Sequence, residues 1–219
     1  MFSRLYILAL VGFLLPINIG AKDIYSTSWA LIVGINDYQS IRDLNYGVED
    51  ALAVKNLLIN DYNFPRENVK VLTDSDATRY NIKKEFDKIV RNSAKEDRVV
   101  FYFAGHGETE TVGLEEKKMG YLMPVEGELD NKYMTAIPMS ELKQIANMSK
   151  AKHMLFMVDA CYGGLAAVNT RGLTNTEAPD YIDVISSDFS RQIITAGGAE
   201  QEVQSRHEWQ HSAFTKNLL

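Results

Sequence analysis

Two uninterrupted apolar runs, Val99–Phe103 and Met154–Val158, constrain this chain more than any other feature. Each has the length of a strand buried on both faces. Such strands belong to parallel sheets with helices on either side. Both runs stop abruptly, the first at Ala104-Gly105-His106-Gly107 and the second at Asp159-Ala160-Cys161-Tyr162-Gly163-Gly164. In open parallel sheets, ligands gather outside the carboxyl ends of the strands. The run ends therefore bring His106 and the single Cys of the chain, Cys161, to one edge.

The remaining pattern fits such a sheet. Trp29–Ile35 reads as a first buried strand, residues 47–60 as a helix and Val69–Leu72 as a short strand. Residues 78–91 carry Ile82, Phe86, Ile89 and Val90 at helical spacing. Residues 108–118 are polar and charged and read as a loop, with a small hairpin arm over 119–125. Pro138 opens a helix that runs to Asn147. Gln192–Ala196 is a fifth strand, and a further helix starts at His211. Alternating strands and helices predict a parallel sheet with right-handed crossovers. Residues 162–189 hold four Gly or Pro (Gly163, Gly164, Gly172 and Pro179) and little periodicity, so they read as a long exposed loop.

At 219 residues, 46% hydrophobic and 24% charged, the chain suits one globular domain. A net charge of −6 argues against nucleic-acid binding, which relies on clustered Lys and Arg. One Cys excludes a disulfide within the chain. Arg4, the apolar stretch Leu5–Leu15, Pro16 and the small Ala21 have the layout of a secretory signal peptide over residues 1–21. That predicts an exported protein, periplasmic or extracellular, whose domain spans 22–219. The apolar stretch is shorter than the roughly 20 residues a membrane span needs. The bland alternative is an uncleaved anchor helix, the one route to a membrane association.

The chemistry follows from residue type. A thiolate attacks carbonyl carbon, and a nearby imidazole serves as base and then as acid. Gly107 leaves its N–H unshielded, and that N–H with the N–H of Cys161 could hold an oxyanion. Bland readings stand beside each of these. A lone Cys is often a small buried hydrophobe. Asp159 could be a structural acid, and Asp50 a helix N-terminal charge. His153, beside Lys150 and Lys152, reads as a solvated edge residue, and His207 and His211 read as surface or packing residues. There is no metal-type Cys/His spacing and no phosphate-binding glycine loop.

With these residues on the page, the chain resembles the caspase-type cysteine peptidases. His106-Gly107 and Asp159-Ala160-Cys161-Tyr162-Gly163-Gly164 carry the likeness. Trp29–Tyr38 is similar to that family's opening strand, Leu44–Ala51 to the start of its first helix, and His211–Thr215 to its small-subunit helix. The resemblance implies a caspase–hemoglobinase fold, a mostly parallel sheet with helices on both faces, and a His106–Cys161 dyad. Asp-cleaving caspases have Arg six residues before the Asp of the first helix; here that position is Leu44. They carry Gln two residues before the nucleophile; here it is Asp159. Both departures lean toward the metacaspase and bacterial orthocaspase branch, in which acids matching Asp50 and Asp159 line a pocket for Arg or Lys. Tyr162, where metacaspases more often have His, departs from that branch. The resemblance implies a protein or peptide substrate with basic residues and no required cofactor. Calcium is the one ion it brings into view, because some metacaspases need it. Two hypotheses follow: a cysteine endopeptidase cutting after Arg or Lys, or a caspase-like interaction module that binds without cutting. Relatives of this family often process themselves, and the 162–189 loop offers Arg171 before Gly172.

Overall fold

The computed structural model describes residues 24–114, 117–160, 189–196 and 205–219. The proposed signal peptide, Cys161 and the 162–188 segment lie outside the described residues.

The elements run β1 (Ser28–Gly34), α1 (Gly47–Asn60), β2 (Val69–Thr73), α2 (Arg79–Asn92) and β3 (Arg98–Ala104). They continue as β4 (Gly107–Val112), β5 (Lys117–Leu122), α3 (Lys132–Thr135), β6 (Ile137–Pro138) and α4 (Met139–Asn147). Last come β7 (His153–Asp159), β8 (Ser190–Thr195), β9 (Ser205–Arg206), β10 (His211–Ser212) and a short α5 (Ala213–Leu218). Five strands form one sheet in the order β2-β1-β3-β7-β8, and every pairing in it is parallel. Chain order reverses between β1 and β3, the switch point at which doubly wound sheets open a crevice.

Strand alternation sorts the core into two layers. Leu31, Val33, Val99, Phe101, Phe103, Met154, Phe156 and Val158 face α2 and α4, which contribute Ile82, Phe86, Ile89, Leu142 and Ile145. Ala30, Ile32, Val100, Tyr102, Ala104 and Met157 face α1 and α5, which contribute Ala51, Val54, Leu58, Phe214 and Leu218. This explains the unbroken apolar runs, since both side-chain sets are buried. Asp159 shares the parity of Met157, so the same alternation turns it toward α1 and α5. α2 is capped by Thr78, whose side chain accepts from the Asn81 N–H.

Close backbone approach seats α1. A Cβ on Gly34 would lie 2.3 Å from the Gly47 carbonyl oxygen, and one on Gly47 would lie 2.5 Å from that of Ile35. The glycine pair lets the helix start directly against the end of β1.

Three expectations need correction. Residues 108–118 are not a loop: β4 and β5 form an antiparallel hairpin with Gly107 opposite Leu122 and Val112 opposite Lys117. The base of the hairpin joins the core through Tyr121 and Leu122, and its outer half projects beyond it and lacks the apolar alternation that marks a half-buried strand. The helix expected from His211 begins at Ala213, because His211 and Ser212 pair with β9 first. His153 is half-buried rather than solvated, with its Nδ1 2.6 Å from the Tyr25 hydroxyl.

Candidate active site

His106 follows β3 directly, Asp159 ends β7, and Asp50 lies in the first turn of α1 after β1. Register places these strand ends level, with Gly34 beside Ala104 and Ala104 beside Asp159. Two hydrogen bonds tie the edge together: Ile35 N–H to the Ala104 carbonyl (3.0 Å) and Gly105 N–H to the Asp159 carbonyl (3.2 Å). Cys161 follows Asp159 by two residues in the chain.

The imidazole of His106 is held on two sides. Its Nε2 lies 2.7 Å from the Arg42 carbonyl oxygen. A carbonyl only accepts, so Nε2 carries the proton and the neutral ring keeps its lone pair on Nδ1. The ring packs against Tyr38 with centroids 5.0 Å apart, and the backbone N–H of His106 donates to the Tyr38 hydroxyl at 2.8 Å. Burial pushes the His106 pKa down, which favours the neutral, basic form. Gly105 makes room for this arrangement, since a Cβ there would sit 2.6 Å from the Tyr38 hydroxyl.

Gly107 opens β4. The Met123 N–H donates to the His106 carbonyl at 3.0 Å, which makes Gly107 and Leu122 a non-hydrogen-bonded pair of the ladder. The Gly107 N–H therefore points away from β5.

The two acids meet at the start of α5, and they are not equivalent. Asp50 is 2% exposed; its Oδ1 lies 2.6 Å from His211 Nδ1, and its Oδ2 accepts the Ser212 N–H at 3.1 Å. Asp159 is 5% exposed, and all its donors crowd onto Oδ2: the Ser212 hydroxyl, the Thr215 hydroxyl at 2.8 Å and the Tyr102 hydroxyl at 3.3 Å. Its Oδ1 is buried with no hydrogen-bond partner. Among the described residues, two other buried polar atoms share that state, Arg79 Nε and Glu126 Oε2. Their residues are joined by a 2.8 Å bond from the Arg79 N–H to Glu126 Oε1.

Burial is the main cause of the electrostatics. It raises Asp50 to about 6, opposed by the bonds from Ser212 and His211 and reinforced by the charge of Asp159. It also raises Asp159, opposed by the bonds from Ser212, Thr215 and Tyr102. Leu44, at the position six before Asp50, packs against the core. No Arg stands there to receive an acidic side chain.

Five residues of this site escape a sequence reading: Tyr38, Tyr102, His211, Ser212 and Thr215. Ser212 and Thr215 had a usable signal, the Ser-x-x-Thr spacing of a helix cap, and Ser212 does accept the Thr215 N–H. Among the described residues, no group of three or more His, Cys, Asp or Glu is placed to hold a metal ion.

The family model described as the caspase domain matches residues 27–219, and the chain belongs to that family. It is 28% identical over 148 residues to metacaspase-1 of Eremothecium gossypii, covering 63% of this chain and 32% of that protein. It is 24% identical over 206 residues to metacaspase-1 of Schizosaccharomyces pombe, covering 87% of this chain and 48% of that protein. The chain thus spans less than half the length of these relatives. A solved protein of Geobacter sulfurreducens matches with a TM-score of 0.63 at 18% identity, covering 88% of this chain and 80% of that one. The mostly parallel sheet with helices on both faces is the caspase fold, and within that family the chain is similar to proteins of the metacaspase branch.

Proposed function

We propose that the protein is an exported cysteine endopeptidase that cuts after Arg or Lys. Cys161 is the nucleophile and His106 its base. In the first step, His106 Nδ1 takes the thiol proton and the Cys161 sulfur bonds to the scissile carbonyl carbon. The N–H groups of Gly107 and Cys161 are the donors assigned to the resulting oxyanion. Collapse breaks the C–N bond, and the imidazolium gives its proton to the leaving amine. Water then attacks the thioester with His106 as base again, which releases the acid and restores the thiol. No step needs a metal; calcium, if it acts, does so outside this sequence of bonds.

One observation carries the specificity: the buried, unpartnered Oδ1 of Asp159, two residues before Cys161. A buried carboxylate oxygen without a donor is a costly feature. A guanidinium or ammonium from a substrate supplies the missing donor with charge complementarity. Asp50 adds a second negative charge within the same network.

The test is a pair of measurements on the purified chain. A thiol-reactive peptidyl-arginine probe should label Cys161, and matched peptides ending in Arg or Lys should be cut while the Asp peptide is not. Labelling without cleavage of any peptide overturns the peptidase reading. Preference for the Asp peptide overturns the acidic pocket.

The same specificity predicts cleavage of the chain itself after Arg171, in the segment outside the described residues. Arg191 is a poorer site, because it lies within β8 and its backbone is paired with Met154 of β7. A new N-terminus at Gly172 that is absent from Cys161→Ala would support self-processing. The same fragment in both proteins would rule it out.

A further inference from the structure

We infer that His211 is a positioning residue for basic-substrate recognition: its Nδ1–H orients Asp50 and holds it as the second negative charge of the pocket, beside Asp159. The inference rests on the specificity reading above and names the group that makes it work.

The geometry comes from five elements, α1, β3, β7, β10 and α5. Asp50 stands on α1 and His211 on β10, far apart in sequence and 2.6 Å apart in space. His211 is three-quarters buried on its side chain, so the contact is sheltered from solvent. Ser212, the next residue, spans the two acids: its N–H goes to Asp50 and its hydroxyl to Asp159. Thr215 on α5 and Tyr102 on β3 complete the cluster, with 2.6 Å between their hydroxyl oxygens. The titratable groups facing Asp50 are thus His211, Asp159 and Tyr102, with His207 one contact away on Tyr46 at 3.1 Å.

The chemistry follows from charge. Two buried carboxylates in one cluster oppose each other's ionisation. Asp159 is supplied with three hydroxyl donors, none of which reaches Asp50. Asp50 has one backbone N–H and His211. A hydrogen bond donated to a carboxylate favours its charged form. An imidazole donates through Nδ1–H whether neutral or protonated, provided that nitrogen holds the proton. His211 is therefore the side chain on which the charge of Asp50 depends. Asp50 titrates near 6, and its loss of charge sets an acidic limb for cleavage of basic substrates. Without His211, Asp50 keeps its proton to higher pH and that limb moves upward.

Two variants separate the hydrogen bond from the bulk of the residue. His211→Asn places an amide N–H where Nδ1 stands. His211→Gln is similarly polar but places its amide nearer the position of Nε2. The readouts are kcat/KM on an Arg peptide across pH and, in parallel, the rate of Cys161 alkylation by iodoacetamide. That reagent has no side chain for the pocket, and the chain has no other Cys. The expected result is an acidic limb raised by about one pH unit in His211→Gln, hence about five- to sixfold less activity at pH 6 and near-wild-type activity at pH 8. His211→Asn keeps the wild-type limb, and alkylation keeps its wild-type pH profile in both. An unmoved limb in His211→Gln overturns the inference while leaving the Arg/Lys reading intact. An alkylation profile that moves with the limb assigns His211 to the dyad instead and also overturns it. If the wild type cuts no basic peptide, the specificity reading falls and the inference falls with it.

Discussion

Two buried aspartates at opposite edges of the sheet make the most instructive comparison in this molecule. Asp97 lies at the amino edge and is 2% exposed. Its Oδ1 accepts the Thr27 N–H at 3.1 Å; its Oδ2 accepts the Trp29 Nε1–H at 3.0 Å and the Ala94 N–H at 2.8 Å. Asp159 lies at the carboxyl edge and is buried almost as deeply, yet one of its oxygens has no donor. Burial alone does not separate a structural acid from a binding one. The distribution of donors does. Asp97 is complete in the free protein and ties the β1 lead-in to the turn before β3. Asp159 keeps one buried oxygen without a donor, which in the proposed function the substrate side chain supplies.

Substitutions should split along that line. The largest effect belongs to the carboxyl edge. His106→Ala should lower kcat/KM on an Arg peptide by about a thousandfold or more, because base and nucleophile act as a unit. Its unfolding midpoint in urea should stay close to wild type, since the His106 side chain is only partly buried. Substantial residual turnover would remove His106 from the dyad.

Next in size is the matched pair. Asp159→Asn should cost about a hundredfold in kcat/KM on the Arg peptide, equivalent to about 3 kcal/mol, with little loss of stability. Asp97→Ala should do the reverse: a loss of about 2–4 kcal/mol in unfolding free energy, with unchanged kcat/KM per folded molecule. Equal activity losses in the two variants would break the comparison.

A smaller effect concerns pH. Asp50 is raised to about 6 in the fold, and Asp159 is raised as well. Between the usual carboxylate range and about 6, the folded state therefore binds more protons than the unfolded state. Stability should fall as pH rises through that window, with the Asp50 penalty fully present above it and absent below it. The contribution is on the order of 3 kcal/mol. Urea unfolding from pH 4 to 7 should show this slope, and Asp50→Asn should reduce it. A slope that steepens in Asp50→Asn would contradict the assigned direction.

The smallest effect compares two helix caps. Thr78→Ala removes the cap of α2 and should cost about 1 kcal/mol of stability with no change in activity. Ser212→Ala removes the cap of α5 and also one donor to Asp159. It should cost a similar amount of stability and lower activity on the Arg peptide as well. If Ser212→Ala leaves activity untouched, its bond to Asp159 is structural only.

Much of this site was legible because it follows strand ends. An apolar run of strand length followed by Gly-His-Gly, or by Asp-Ala-Cys, predicts both a buried parallel strand and what stands at its carboxyl end. The helix over residues 47–60 was legible from spacing and is observed with those bounds. The β4–β5 hairpin was not legible, because a projecting arm carries little apolar periodicity. His211 was not legible either. Its neighbours in sequence are Gln210 and Ser212, and nothing local marks it as the partner of an acid on α1.

By itself, the sequence determined the parallel sheet, its two covering layers and the edge at which His106 and Asp159 emerge. Hydrophobic periodicity is local, and it dictates which face each side chain takes. Only the tertiary structure decided how the two acids differ. That depends on where hydroxyl and imidazole donors from β3, β10 and α5 land. Crossovers and strand register set those positions, and no window of neighbouring residues encodes them.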